Sequence, residues 1–294
     1  MIADQVVEQI AQHAADRADF ITPHLTDAHT LDYPCFHSGF VCEYELPRWD
    51  PIHIGRFAID ISPTRHVVML WIAALLCIIT TLLALRAHNR RTREGRAPGG
   101  LGAGLEALVL YLRNEVVIPN VGPHGNGYVP FLLTLFFFVL FANLLGLVPY
   151  GATATGNISV TATLAIITFI VIEIAGMKAQ GRKYINTIVF WPHEMSLPMK
   201  IFISPILTPI ELIGKFTKPF ALAIRLFANM VSGHVVLLAL ISLIFTFGSW
   251  ILVPAPVLIA VSISVLELFV AFLQAFIFTL LSSVFIGLIR EGAH

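Results

Sequence analysis

An all-α, polytopic membrane protein is the fold class this sequence predicts. It should have about five transmembrane helices plus an interfacial amphipathic helix, with the last two membrane helices forming a long, strongly tilted hairpin. Three observations carry the prediction. Of 294 residues, 57% are hydrophobic and 12% charged, about half the charged share of a soluble domain. The mean hydropathy is +0.82, and apolar runs of about 20 residues, long enough to cross a bilayer, recur along the chain. The charges are also segregated: residues 1–65 hold ten acids and four bases, and the remainder holds eight acids and fourteen bases. The formal net charge is zero and no basic stripe suggests nucleic acid.

Residues 1–65 read as an N-terminal extracytoplasmic extension. MIADQVVEQIAQHAADRADF lacks the basic start and apolar core of a signal peptide. It spaces Ile2, Val6, Val7, Ile10 and Ala14 as a short amphipathic helix does. Cys35 and Cys42 bracket CFHSGFVC, with His29 and His37 nearby. That spacing matches no common zinc pattern, and a local disulfide is expected if the segment faces an oxidising compartment. Cys77, in an apolar run, reads as a small core residue.

Residues 66–86 are the first membrane helix, with its apolar run at Val67–Leu85, and 87–127 are a basic loop followed by the interfacial helix. Arg86, Arg90, Arg91, Arg93 and Arg96 stand against a single Glu94. This places the loop on the cytoplasmic or matrix side and the acidic extension outside. Leu105–Pro119 is interrupted by Glu106, Arg113 and Glu115, the pattern of a helix lying in the interface. After the breaker GPHGNG, residues 128–178 supply membrane helices two and three, Tyr128–Pro149 and Ile158–Met177, joined by the uncharged YGATATGN. Lys178, Arg182 and Lys183 return the chain to the basic side, into a cytoplasmic loop over 179–200.

The hairpin occupies 201–290. Ile201–Phe247 is mostly apolar, broken by Pro205, Pro209 and Pro219, and Val257–Ile289 is a similar run ending in REGAH. About 40 helical residues reach roughly 60 Å, twice the hydrocarbon thickness of about 30 Å. The helix must therefore tilt strongly or run partly along the membrane. The tight corner then lies outside and the C-terminus inside.

Arg225 lies within the apolar stretch ALAIRLFANMVSGHVV. An arginine at the centre of a membrane helix costs roughly 2.5–3.5 kcal/mol, so it needs a reason. At 100° per residue, Glu211 and Asn229 each lie about 40° from Arg225, whereas His234 points about 180° away. On the partner run, Glu267 and Gln274 are two turns apart on one face, separated by roughly 10.5 Å. A fixed cation with acids and an imidazole at different angles suits two polar paths meeting near the arginine, not one pore lined on a single face. Glu267, ten residues into an apolar run, is a functional candidate by default. Lys215 and Lys218 read as snorkelling residues, and Glu173 as an interface charge. Asn143 in the second span either makes an interhelical hydrogen bond or lines a channel.

Two chemistries find no motif. HEMSL begins like a zinc-protease helix, but Leu197 stands where the second histidine is required. No glycine-rich phosphate loop of the Walker type occurs, so the chain is not expected to be catalytic by itself, and no cofactor or metal is expected.

KPFALAIRLFANMVSGH (Lys218–His234) and LELFVAFLQAFIFTLL (Leu266–Leu281), supported by PIELIGKFTKP (Pro209–Pro219) and PFLLTLFFFVLFANLLGLVP (Pro130–Pro149), resemble subunit a of the F-type ATP synthase membrane sector. The resemblance runs from the first span onward. It implies that the hairpin faces a ring of c subunits and passes ions to and from a carboxylate on each. Arg225 matches the family's essential arginine, and Asn229 and Gln274 match polar partners beside it. Glu211 matches the acid of the cytoplasmic half-channel, and His234 and Glu267 match the pair of the opposite one. In one well-known bacterial pattern these last two residue types are exchanged; one acid and one imidazole are kept, as in mitochondrial-type members. Gly146 stands where some members carry an acid. The resemblance further implies peripheral-stalk b subunits as partners within the whole synthase, and a place in the bacterial or mitochondrial inner membrane. The His234/Glu267 pair favours protons over sodium ions.

The rival expectation is a proton-coupled secondary transporter, with Arg225 binding an anionic substrate and Glu267 carrying the proton. Such transporters often show inverted repeats and broken mid-membrane helices; here there is one unequal hairpin and no repeat between the halves.

Overall fold

The computed structural model describes residues 27–34, 41–50, 52–54, 57–60, 62–93, 100–122, 125–148, 153–184, 197–247 and 253–291. The expected helix at Ile2–Ala14, the residues Cys35 and His37, most of HEMSL and most of the hairpin corner lie outside them. Helices dominate, and five are long and apolar enough to cross a membrane: Arg65–Arg86, Val129–Gly146, Ile158–Gln180, Ser204–Leu240 and Pro254–Arg290. The chain divides into two compact units. The first comprises Met1–Ala73, Ala142–Asn157 and Ala228–Ala271, and the second Ala74–Phe141, Ile158–Phe227 and Phe272–His294.

The elements are α1 (Arg65–Arg93), α2 (Leu101–Tyr111, continued to Val121), α3 (Val129–Gly146), α4 (Ile158–Gln180), α5 (Leu197–Phe247) and α6 (Pro254–Glu291). The long helix expected over this run is continuous through Pro205, Pro209 and Pro219. Each proline lacks an N–H, so the carbonyls four residues earlier lose their helical donor. Membrane helices tolerate this where neighbouring groups make up the loss.

In the first unit the extension adds four short strands that the sequence reading did not anticipate. β1 (Thr30–Pro34) pairs antiparallel with β2 (Val41–Glu45), and β3 (Ile52–Ile54) with β4 (Phe57–Ile59). Cys42 on β2 is disulfide-bonded. The extension grips the start of α1. Arg65 N–H donates to Ala28 O at 2.9 Å, and the buried His66 ring meets Asp27 Oδ1 through Nδ1 at 2.6 Å. A carboxylate there also faces the positive end of the helix dipole. Burial alone would raise the Asp27 carboxyl, but the hydrogen bond and charge of His66 hold it below its ordinary range.

The second unit holds a dry core of Leu112, Val117, Leu132, Phe136, Leu226, Phe278 and Ile286, among others. The helix foreseen at Leu105–Pro119 sends one face into this core: Leu112 and Val117 are fully buried, while Asn114 and Glu115 are exposed. Pro119 has no N–H to give, and the helix widens just before it. Over Leu112–Val117 it is π-helical, with Ile118 N–H reaching back to Arg113 O. Gly122, at φ 85°, then ends it.

The far end of α6 is tied down at several points. Arg290 Nη1 donates to Val121 O at 2.9 Å, its guanidinium lies 5.4 Å from the Tyr128 ring centroid, and Gln180 donates to Ile289 O. Gly287 lies so close to the Asn120 carbonyl that a Cβ would overlap it, the close approach that small residues give membrane helices. Cys77 is a half-buried free thiol.

Candidate ion-path site

In the first unit, the end of α3, the second part of α5 and the first part of α6 enclose a recess of about 300 Å³. Its wall includes Asn143, Thr153, Asn229, Ser232, His234 and Glu267. One water needs only about 10–15 Å³ of such volume, and polar partners to hold it, so the recess can take several.

Four residues singled out in the sequence (Asn143, Asn229, His234 and Glu267) therefore meet in one place, although they span more than a hundred positions. Glu267 Oε2 is buried and has no hydrogen-bond partner among the described residues. A buried carboxylate oxygen without a partner is costly, so its natural counterpart is a proton or water.

Space for that carboxylate comes from Gly233. A Cβ at this position would overlap Glu267 Oε1, so the glycine lets α5 and α6 approach while the acid lies between them. Sequence reading missed Gly233; its signal was a helix-interior glycine immediately before a histidine, in a segment where alanine would be a better helix former.

Of the two roles left open for Asn143, the interhelical hydrogen bond is present. Asn143 is fully buried. Its Nδ2 donates to Ala271 O on α6 at 3.3 Å, and its Oδ1 accepts from Thr155 Oγ1 at 2.7 Å. It also lines the recess.

The second unit carries the other three predicted residues. Gln274 is buried on α6. Glu211 and Arg225 are exposed on α5, and among the described residues Arg225 makes no ion pair. On the same face of the helix its exposed neighbours are Lys218, Ala221 and Ala228.

The lysines have neighbours within the second unit. Lys215 Nζ lies 3.6 Å from Glu173 Oε2 and 4.8 Å from the Tyr184 ring centroid. Lys218 is exposed, with its ammonium 5.3 Å from the Phe285 ring centroid. The larger cavity of this unit, about 760 Å³ between α4 and α5, is lined by apolar side chains and Thr217. That hydroxyl is given to Ile213 O at 2.7 Å, so the cavity offers no proton-handling group.

The fold and site define a multi-pass helical membrane protein with titratable side chains held within its apolar helices. Comparison with known proteins gives the family. A family model described as "ATP synthase A chain" matches residues 67–287, and the chain belongs to that family. "ATP synthase subunit a 2" of Prosthecochloris aestuarii is 45% identical over 292 residues, covering 97% of this chain and 85% of that protein. "ATP synthase subunit a 2" of Chlorobaculum tepidum is 42% identical over 288 residues, covering 97% and 77%. "ATP synthase subunit a" of Chloroherpeton thalassium is 45% identical over 277 residues, covering 94% and 78%.

Proposed function

We propose that this chain is the proton-conducting stator subunit of a rotary ATP synthase. It would offer two half-channels to the carboxylates of a c-subunit ring, kept apart by Arg225. The supporting observation is the gathering of Asn143, Asn229, His234 and Glu267 around one recess, with a carboxylate oxygen left open to a proton.

Arg225 is an exposed cation within a helix long and apolar enough to cross a membrane. In hydrocarbon that is expensive, and an opposing carboxylate on a partner protein removes the cost. At about 4 Å and an effective dielectric of 20, such a pair is worth about 4 kcal/mol, favouring the ionised acid. A ring carboxylate reaching Arg225 gives up its proton toward Glu211. Once past it, the carboxylate regains one from the His234/Glu267 path and enters lipid neutral. His234 suits uptake because an imidazole changes charge near ambient pH. Asn229 and Gln274 orient the arginine and the acid.

The hairpin α5–α6 lies strongly tilted along the ring. The extension is outside and the C-terminus on the cytoplasmic side of a bacterial inner membrane (or the matrix side in a mitochondrion). The other partners are the peripheral-stalk b subunits and the assembled synthase. Membership of the ATP synthase A chain family disfavours the transporter of an anionic substrate.

The test is Arg225→Ala in the reconstituted synthase. Coupled ATP synthesis should vanish while passive proton leak appears; full ATP-driven pumping by this variant would overturn the proposal.

A further inference from the structure

We infer that Thr155 is a positioning residue for the recess, acting through Asn143. This rests on the proposed proton path and deepens it.

Thr155 lies in the short 3₁₀ turn Ala154–Gly156 before α4 and is fully buried, as is Asn143. A primary amide can turn over at little steric cost, exchanging its acceptor and donor ends. Here the Ala271 carbonyl forbids the exchange. Thr155 Oγ1 donates to Asn143 Oδ1 at 2.7 Å, and Asn143 Nδ2 donates to Ala271 O at 3.3 Å. Turned over, the amide would set oxygen against the Ala271 carbonyl, which can only accept; as it stands, the Thr155 hydroxyl satisfies the other end.

Ala271 is four residues beyond Glu267 and so on the same side of α6, one turn away. The chain Thr155–Asn143–Ala271 therefore fixes α6 next to the acid. Little in the sequence singles it out: Thr155 is one of two threonines in the uncharged connection YGATATGN.

The experiment is passive proton flux through the reconstituted membrane sector, with assembly measured alongside. Thr155→Val keeps the shape and removes the hydroxyl. It should lower flux about five- to tenfold, the factor that one neutral hydrogen bond carries. Thr155→Ser keeps the donor and should restore flux to within about twofold of the parent.

The double variant Thr155→Val/Asn143→Leu removes both buried partners, so it should assemble at least as well as Thr155→Val yet conduct no better than Asn143→Leu alone. Parental flux in Thr155→Val, or equal losses in the Val and Ser variants, would overturn the inference. His234→Ala separates the two levels. If it slows flux while Thr155→Val does not, only the positioning role fails. If neither slows flux, the proposed path fails with it.

Discussion

The two units treat buried polar groups in opposite ways. In the second, three buried hydroxyls are returned to their own helices: Thr168 to Leu164 O, Thr279 to Ala275 O and Ser282 to Phe278 O, at 2.8, 2.9 and 2.6 Å. The surrounding core is aromatic and aliphatic, with Phe136 and Phe272 edge to face at 5.6 Å. In the first unit, one amide is clamped from both ends while a carboxylate oxygen is left open. A satisfied polar group adds rigidity; an unsatisfied one has to draw in a proton or water. The core of the second unit thus has the features of a frame, and the recess of the first has the open acid that the proposed uptake path needs; Glu211 and Arg225 of the proposed path are exposed on the second unit.

The contrast can be broken by substitution. After Arg225→Ala, the largest effect is expected from Glu267→Gln, which removes the titrating group and should lower proton flux on the order of a hundredfold, as loss of an acid–base group does. His234→Ala should cost about tenfold with assembly intact. Parental flux in either variant would remove that residue from the path.

The two tight glycines sharpen the comparison. Gly287→Ala puts a Cβ into the Asn120 carbonyl, part of the backbone, and should destabilise the protein by about 1–3 kcal/mol, read as thermal unfolding in mild detergent. Gly233→Ala meets the end of a side chain that can swing aside. Stability should change by less than about 0.5 kcal/mol, but proton flux should fall because the carboxylate has moved. If the two variants lost stability equally, the distinction between frame and path would not hold.

The smallest effect is expected at Asp27. Its carboxyl is held below the ordinary value of 3.8 when folded, so the folded state binds fewer protons than the unfolded one near that pH. The stabilisation is present above 3.8 and lost as pH falls through the lowered folded value. Asp27→Asn should flatten the dependence of unfolding temperature on pH between about 5 and 3; an unchanged slope would mean that the pair with His66 contributes nothing.

Much of the fold was legible because membrane spans are a local property. Val67–Leu85 and Ile158–Met177 announce themselves by composition, and the structure places α1 and α4 over them. The candidate residues were legible for the complementary reason: a charge inside an apolar run, such as Arg225 or Glu267, stands out without any knowledge of its neighbours. The extension was read less well. β1 to β4 are three to five residues long, too short for alternation to show.

Composition and helical spacing by themselves determined the five spans, the bias of charge along the chain and the positions where a polar group interrupts an apolar run. Which of those groups meet, and which are satisfied, was decided by tertiary structure. Asn143 and Ala271 are bonded across 128 positions of sequence, and the room for Glu267 depends on a glycine of another helix. Hydropathy is written residue by residue, whereas a hydrogen bond or an overlap depends on two distant atoms arriving at one point, and only the folded chain brings them there.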